Sequence, residues 1–116
     1  MIIEREFNFD SAHFLPLVPL GHKCKTLHGH TYRITVRVSG ELDEKGWVLD
    51  FADIKDVVQP VINLMDHKLL NMIEGLENPT AEKIAEFLFY KIKPNLPLLD
   101  SIVVQEGLNS RVEFRA

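Results

Sequence analysis

The chain has 116 residues, of which 46% are hydrophobic and 26% are charged, and its formal net charge is −4. This length predicts one domain over residues 1–116, and the composition excludes a chain that is disordered along most of its length. The negative charge predicts that the protein does not bind nucleic acid, and the lack of a long apolar stretch predicts that it does not span a membrane. A single cysteine excludes an internal disulfide, and with the acidic first residues it predicts a cytoplasmic protein.

Alternating side chains predict β-strands in the first half of the chain. The odd positions of Ile3–Phe9 are apolar apart from one arginine, and His13 shares their face if this strand continues. Residues 14–27 contain two prolines and a glycine and are predicted to be irregular. Residues 28–38 alternate most regularly and predict a second strand, and residues 47–49 predict a short third strand after a polar turn.

Helical spacing of apolar residues follows these strands. Asp50 is suited to cap a helix that begins at Phe51, and Pro60 should kink or divide that helix. A second helix is predicted to start near residues 78–80, and residues 102–114 predict a hairpin. Strands grouped apart from helices indicate the α+β class, with the helices on one face of an antiparallel sheet.

Polar residues on faces otherwise reserved for the core suggest a metal site. His28, His30 and Glu106 fall on such faces, and burial of these groups without partners is unfavourable. A dication would explain the histidines, because neutral imidazoles are good zinc ligands. With His13 from the neighbouring strand, three histidines and one open position would match a catalytic Zn²⁺ site. A His-Gly-His pair alone also fits buried histidines that only hydrogen-bond to the backbone.

Cys24 lies four residues before His28, in the predicted irregular segment. Its basic neighbours favour a thiolate, so it could act as a nucleophile or base beside the metal. It could instead be a fourth zinc ligand that closes a structural site, and the residues alone leave both roles open. Farther along, Asp66 directly precedes His67, and such a carboxylate can orient an imidazole.

The ordered set of these motifs is more specific than any one of them. It consists of Phe9-Asp10-Ser11-Ala12-His13, the run from Gly21 to His30, Leu49-Asp50-Phe51-Ala52-Asp53, Asp66-His67, the stretch from Glu77 to Glu82, and Glu106. This set resembles the 6-pyruvoyl-tetrahydropterin synthase superfamily, from about residue 5 to residue 106. A cysteine separated by three residues from His-Gly-His most resembles the bacterial and archaeal branch, the 6-carboxy-tetrahydropterin synthases of queuosine biosynthesis.

The resemblance implies roles for the site residues. It assigns Zn²⁺ binding to the three histidines named above. It makes Cys24 the general base, with Asp66 and His67 as a proton relay. It assigns pterin binding to Glu106, which would accept from the amino group and a ring N–H, with help from Thr80 at the start of the second helix.

The resemblance also implies a fold, an assembly and a reaction. The fold is the tunnelling fold, a four-stranded antiparallel sheet with two helices on one face. Three subunits would close a barrel and two trimers would stack as a homohexamer, with Asp66 and His67 facing the Cys24 of a neighbouring subunit. The reaction is the conversion of 7,8-dihydroneopterin triphosphate into 6-carboxy-5,6,7,8-tetrahydropterin, acetaldehyde and triphosphate by a zinc-dependent lyase. The short turn at 107–109 departs from the family pattern.

Three hypotheses are alternatives to this reaction. A 6-pyruvoyl-tetrahydropterin synthase would eliminate triphosphate but keep the carbon side chain. A non-catalytic zinc protein would use Cys24 as a fourth ligand, and a pterin-binding module would bind without turnover. Several cations are candidates for holding the triphosphate, namely Lys23, Lys25, Arg33 and Lys68.

Overall fold

A computed structural model describes all residues from Met1 to Ala116. Four strands and two helices make up its regular structure. These are β1 (Ile2–His13), β2 (His28–Ser39), α1 (Phe51–Asn63), α2 (Ala81–Ile92), β3 (Leu99–Glu106) and β4 (Ser110–Phe114). The strands form one antiparallel sheet in the order β1-β2-β3-β4. The predicted α+β class and the four-stranded sheet are confirmed.

Both helices lie against the same face of the sheet, where the apolar residues of the strands project. α1 contacts β1, whereas α2 contacts β3 and β4. The core is built from residues with no exposed surface on each layer, such as Ile34 and Val36 from β2, Ile54 from α1, and Leu88 from α2. Complete burial of each such side chain contributes roughly 1.5–3 kcal/mol. No helix has the length and apolar character needed to span a bilayer.

The helix boundaries agree with the capping residues. The Asp50 side chain accepts from the amide of Ala52, and the Thr80 side chain accepts from the amide of Lys83. Pro60 does not divide α1, which continues to Asn63. Pro60 lies on the exposed side of the helix, so water can satisfy the carbonyl that lacks its usual amide partner.

The predicted short strand at residues 47–49 is wrong. Those residues follow a tight turn in which the Asp43 carboxylate accepts from the amides of Lys45 and Trp47 at 2.8 and 3.0 Å. The Asp43 amide donates to the Trp47 carbonyl at 2.8 Å. β1 and β3 already occupy both edges of β2. The backbone of Trp47 therefore pairs with Asp43, and Val48 packs against the core instead of joining the sheet.

Two buried serines offer a matched test of this packing. The Ser101 hydroxyl on β3 is buried and has no hydrogen-bond partner, whereas the Ser11 hydroxyl on β1 donates to the carbonyl of Met65. We expect Ser101→Ala to leave the free energy of unfolding unchanged or raise it by up to about 1 kcal/mol, because no bond is lost. Ser11→Ala should lower it by about 1–2 kcal/mol, because the Met65 carbonyl loses its donor. Urea unfolding of both variants measures the contrast, and equal destabilisation would contradict it.

Candidate metal centre and active site

Three histidines meet at one end of the sheet. The antiparallel register places His13, the last residue of β1, opposite His28, the first residue of β2, and His30 follows two positions later on the same face. One nitrogen from each ring lies within 4.8 Å of the other two. His13 is buried, and the other two are half-buried. The predicted cluster is therefore present, with the third histidine supplied by the neighbouring strand.

Backbone carbonyls set the tautomers of two of these rings. His13 Nδ1 lies 2.8 Å from the carbonyl oxygen of Pro79, and His28 Nδ1 lies 2.6 Å from that of Thr26. A carbonyl only accepts, so each Nδ1 carries the hydrogen and each Nε2 presents a lone pair. The two Nε2 atoms lie 3.0 Å apart. Two lone pairs at this distance repel unless a positive charge lies between them.

The third ring supplies a buried nitrogen without a hydrogen bond. His30 Nε2 lies 3.4 Å from Glu106 Oε1, but the geometry is not that of a hydrogen bond, and the atom has no other partner. In a tetrahedral zinc site with Zn–N near 2.05 Å, ligand nitrogens lie about 3.3 Å apart. The Nε2 atoms of His13 and His28, 3.0 Å apart, are close to that spacing, and all three ligand nitrogens lie within 4.8 Å of one another. Three convergent nitrogens, two of them with carbonyl-fixed tautomers, fit a divalent metal ion.

Tyr32 is a member of the site that the sequence analysis did not single out. Its hydroxyl is buried and lies 3.2 Å from Nδ1 and 3.4 Å from Nε2 of His13. Burial, followed by the negative charge of Glu106, raises the pKa of Tyr32, which therefore stays a neutral phenol. Burial also lowers the pKa of His13, against the opposing effect of the Pro79 carbonyl, and this favours the neutral ring that a metal requires.

Cys24 lies beside this cluster. It sits in a short 3₁₀ turn, Lys23–Lys25, and is half-buried. A pocket of about 380 Å³ opens next to it and is lined by Lys23, Cys24, His28, His30 and Glu106. The structure thus brings together a thiol, two of the three clustered imidazoles and a carboxylate.

Glu106 ends β3 and lies opposite Tyr32 of β2. The sequence predicted a buried carboxylate beside a ligand pocket, and the structure places it at the pocket but leaves 29% of the side chain exposed. Glu106 also lines a second pocket with Thr80. Within the chain, the Thr80 hydroxyl accepts from the Lys83 amide at 3.1 Å, which is the contact of a helix cap.

Asp66 and His67 form a separate pair. His67 Nδ1 lies 2.9 Å from Asp66 Oδ1, and the His67 backbone adopts a φ of +58°. The Asp10 carbonyl accepts from the His67 amide at 2.7 Å, and the Asp10 amide donates to Asp66 Oδ1 at 3.1 Å. This amide, followed by the His67 ring, holds the pKa of Asp66 below its usual value. Neither residue lines the Cys24 pocket of the same chain.

The comparisons with known proteins place the chain in one family. The family model described as 6-pyruvoyl tetrahydropterin synthase matches residues 2–116. The chain belongs to this family. A member from Synechocystis sp., named 6-carboxy-5,6,7,8-tetrahydropterin synthase, is 38% identical over 97% of this chain and 92% of its own. A Pyrococcus furiosus member, named dihydroneopterin monophosphate aldolase, is 41% identical over 78% of this chain and 73% of its own.

A solved member of the family has the same architecture. The Caenorhabditis elegans 6-pyruvoyl tetrahydropterin synthase superposes with a TM-score of 0.92 at 26% identity, over 100% of this chain and 95% of its own. The tunnelling fold expected from the sequence is thereby confirmed for the subunit. Family membership also makes the chain a relative of pterin synthases and so supports an enzyme.

Removal of one ligand tests the metal centre directly. We expect His28→Ala to lose most of the bound metal, because two nitrogens remain where three converged. His22→Ala is the matched control, since His22 is an exposed histidine outside the cluster, and it should keep its metal. Metal content per chain, measured by atomic emission after dialysis, decides between them. Full occupancy in His28→Ala would exclude this site.

Proposed function

We propose that the protein is a zinc-dependent lyase that converts 7,8-dihydroneopterin triphosphate and water into 6-carboxy-5,6,7,8-tetrahydropterin, acetaldehyde and triphosphate. The observation that carries the proposal is the single pocket lined by Cys24, two clustered histidines and Glu106. The names of two relatives favour this product. They are the Synechocystis protein and a Haemophilus influenzae protein of the same name, which is 35% identical over 97% of both chains.

The metal proposed for the cluster is Zn²⁺, held by His13, His28 and His30. Three neutral imidazoles with no carboxylate ligand suit zinc better than the hard cations Mg²⁺ and Ca²⁺. When bound, zinc supplies Lewis-acid chemistry that polarises the hydroxyls of the substrate side chain and acidifies the adjacent C–H group. Carbonyls at both Nδ1 atoms keep the rings oriented toward the metal.

Cys24 is proposed as the general base. Its thiolate would take the proton from the carbon beside the polarised hydroxyl, which starts the loss of triphosphate and the redistribution of hydrogens along the side chain. The adjacent Lys23 lines the same pocket. A cytoplasmic setting, which we propose for the protein, keeps this thiol reduced.

Glu106 is proposed as the pterin anchor. A carboxylate can accept from the amino group and a neighbouring ring N–H together, as it does from a guanidinium. Its oxygen lies 3.4 Å from His30 Nε2, so a pterin held there occupies the same pocket as the histidine cluster. Thr80, on the adjoining pocket, would support the ring.

Asp66 and His67 are proposed as a relay that works across a subunit boundary. The pair does not line the Cys24 pocket of its own chain, and 78% of the His67 side chain is exposed. A homohexamer made of two stacked trimers, each closing a barrel, would bring the pair to the Cys24 of a neighbouring subunit. The pterin triphosphate would then bind between subunits.

Product analysis is the experiment that tests this function. We expect incubation with 7,8-dihydroneopterin triphosphate to give acetaldehyde and a pterin whose side chain retains a single carbon, both measured by mass spectrometry. Cys24→Ala should keep its zinc and lose turnover by at least ~10²-fold, the usual contribution of a positioned base. Loss of zinc together with activity would instead indicate that Cys24 is a fourth ligand.

Other products would identify the alternatives. An intact pyruvoyl side chain without acetaldehyde would assign the 6-pyruvoyl synthase reaction. The name of the Pyrococcus furiosus relative makes dihydroneopterin monophosphate the second substrate to test. Faster turnover of the monophosphate would contradict the proposed substrate. Binding of the triphosphate without turnover would indicate a binding module.

Glu106→Ala tests the anchor. We expect pterin affinity to fall at least ~30-fold while zinc is retained, because two donors on the ring lose a charged acceptor. Glu74→Ala is the matched control, because it removes the same charge from an exposed residue outside the pocket. Calorimetric titration with a pterin lacking the phosphates measures affinity without the contribution of the triphosphate. Equal affinity in the two variants would exclude the anchor role.

A further inference from the structure

The segment that carries Cys24 folds back on itself as two arms. The outgoing arm runs from residue 15 to 20 and the returning arm from 22 to 27. The Leu15 amide donates to the Cys24 carbonyl at 2.8 Å, and the Cys24 amide donates to Nδ1 of His22 at 3.0 Å. The backbone of Cys24 is therefore held from both sides, and the position of its thiol depends on the two arms staying together.

Lys25 also connects the two arms. Its ammonium group donates to the carbonyls of Pro16 and Val18, both at 3.0 Å. The leucines of the outgoing arm beyond Leu15 do not hold the arms together by apolar packing, because Leu17 and Leu20 are 79% and 90% exposed. Only two other hydrogen bonds join the arms: the Leu15 amide donates to the Cys24 carbonyl, and the His22 amide donates to the carbonyl of its near neighbour Pro19. The Lys25 ammonium thus supplies two of the four hydrogen bonds between the arms.

The environment of Lys25 differs from that of an ordinary surface lysine. The residue is half-buried and directly follows Cys24, and no carboxylate lies within ion-pair distance of its ammonium. Its two acceptors are backbone carbonyls, so the side chains of Pro16 and Val18 do not accept these hydrogen bonds. Fixing a lysine side chain in one conformation costs rotamer entropy. The two hydrogen bonds to the carbonyls must offset this cost for Lys25 to stay in place.

We infer that Lys25 is a positioning residue for Cys24: its ammonium locks the two arms together and so fixes the thiol at the edge of the pocket beside the histidine cluster. This inference rests on the proposed function insofar as Cys24 acts as the base. The lock itself is a property of the loop and can be measured without substrate. Small displacements of a catalytic group reduce the rate steeply, so a loosened loop should affect turnover more than binding.

The chain contains a matched control for this arrangement. The Lys93 ammonium also bridges two backbone carbonyls, those of Pro97 and Leu99, at 2.8 and 2.9 Å. Leu99 pairs with Val38 at the end of β2 farthest from the histidines. Lys93→Met therefore removes the same kind of lock far from the pocket and controls for loss of a lysine and of two hydrogen bonds.

The experiment compares Lys25→Met, Lys25→Arg and Lys93→Met with the parent holoenzyme. Hydrogen exchange of peptides covering residues 14–27 should speed up at least ~10-fold in Lys25→Met only, because local opening of the loop becomes easier. Iodoacetamide should alkylate Cys24 at least ~3-fold faster in that variant for the same reason. The kcat should fall at least ~10-fold with KM within about 3-fold, because a misplaced base affects the chemical step. Zinc content should stay unchanged.

The arginine variant separates positioning from a general loss of stability. A guanidinium can donate to both carbonyls, so Lys25→Arg should recover slow exchange and most of the kcat. Unchanged exchange and alkylation in Lys25→Met would exclude the lock. Faster exchange with an unchanged kcat would exclude the positioning role.

If the parent shows no turnover of the triphosphate, the proposed function fails, and exchange and alkylation still decide whether Lys25 fixes the thiol.

Discussion

The site depends on the orientation of two imidazole rings by backbone carbonyls. The Pro79 and Thr26 carbonyls each accept from an Nδ1 hydrogen, which leaves two Nε2 lone pairs facing each other at 3.0 Å. This arrangement is unfavourable without a cation and favourable with one. The carbonyls come from different parts of the chain, one from the turn before α2 and one from the loop before β2. The fold therefore has to join the helical layer, the loop and the sheet at this point.

Strand register is the second requirement. His13 reaches His28 because β1 and β2 pair along their whole length, from Ile2 with Ser39 to His13 with His28. A slip of one residue would turn every side chain of β1 to the opposite face and move His13 out of the cluster. The apolar residues of β1 prevent this slip, since Phe7 and Phe9 would lose their burial together with it. Core packing and ligand placement are consequently enforced by the same alternation.

The sequence predicted those parts of the molecule that follow from periodicity. Alternation along β2 identified the face shared by His28 and His30, and the capping residues identified the start of both helices. Alternation alone could not distinguish Tyr32 from a core residue, although its hydroxyl contacts His13. The roles of the Pro79 and Thr26 carbonyls could not be predicted from the sequence, because every residue has a backbone carbonyl. Residues 47–49 were assigned to a strand because the local pattern was apolar, but a strand also needs a partner, and only the topology reveals that both edges of β2 are already paired.

The short segment after α1 changes what the free edge of β1 can accept. Residues 67–69 run beside this edge, with hydrogen bonds between His67 and Asp10 and between Ala12 and Lys68, and a parallel bridge between Ala12 and Leu69. They cover the C-terminal part of this edge, at Asp10 and Ala12. The first seven residues of β1, Ile2 to Asn8, stay unpaired on that side. A strand from another copy could extend the sheet only along Ile2 to Asn8, and this stretch is long enough for the five residues of β4. The segment would act as a stop that sets how far such a strand can advance, and it carries His67 at the place where that strand would end.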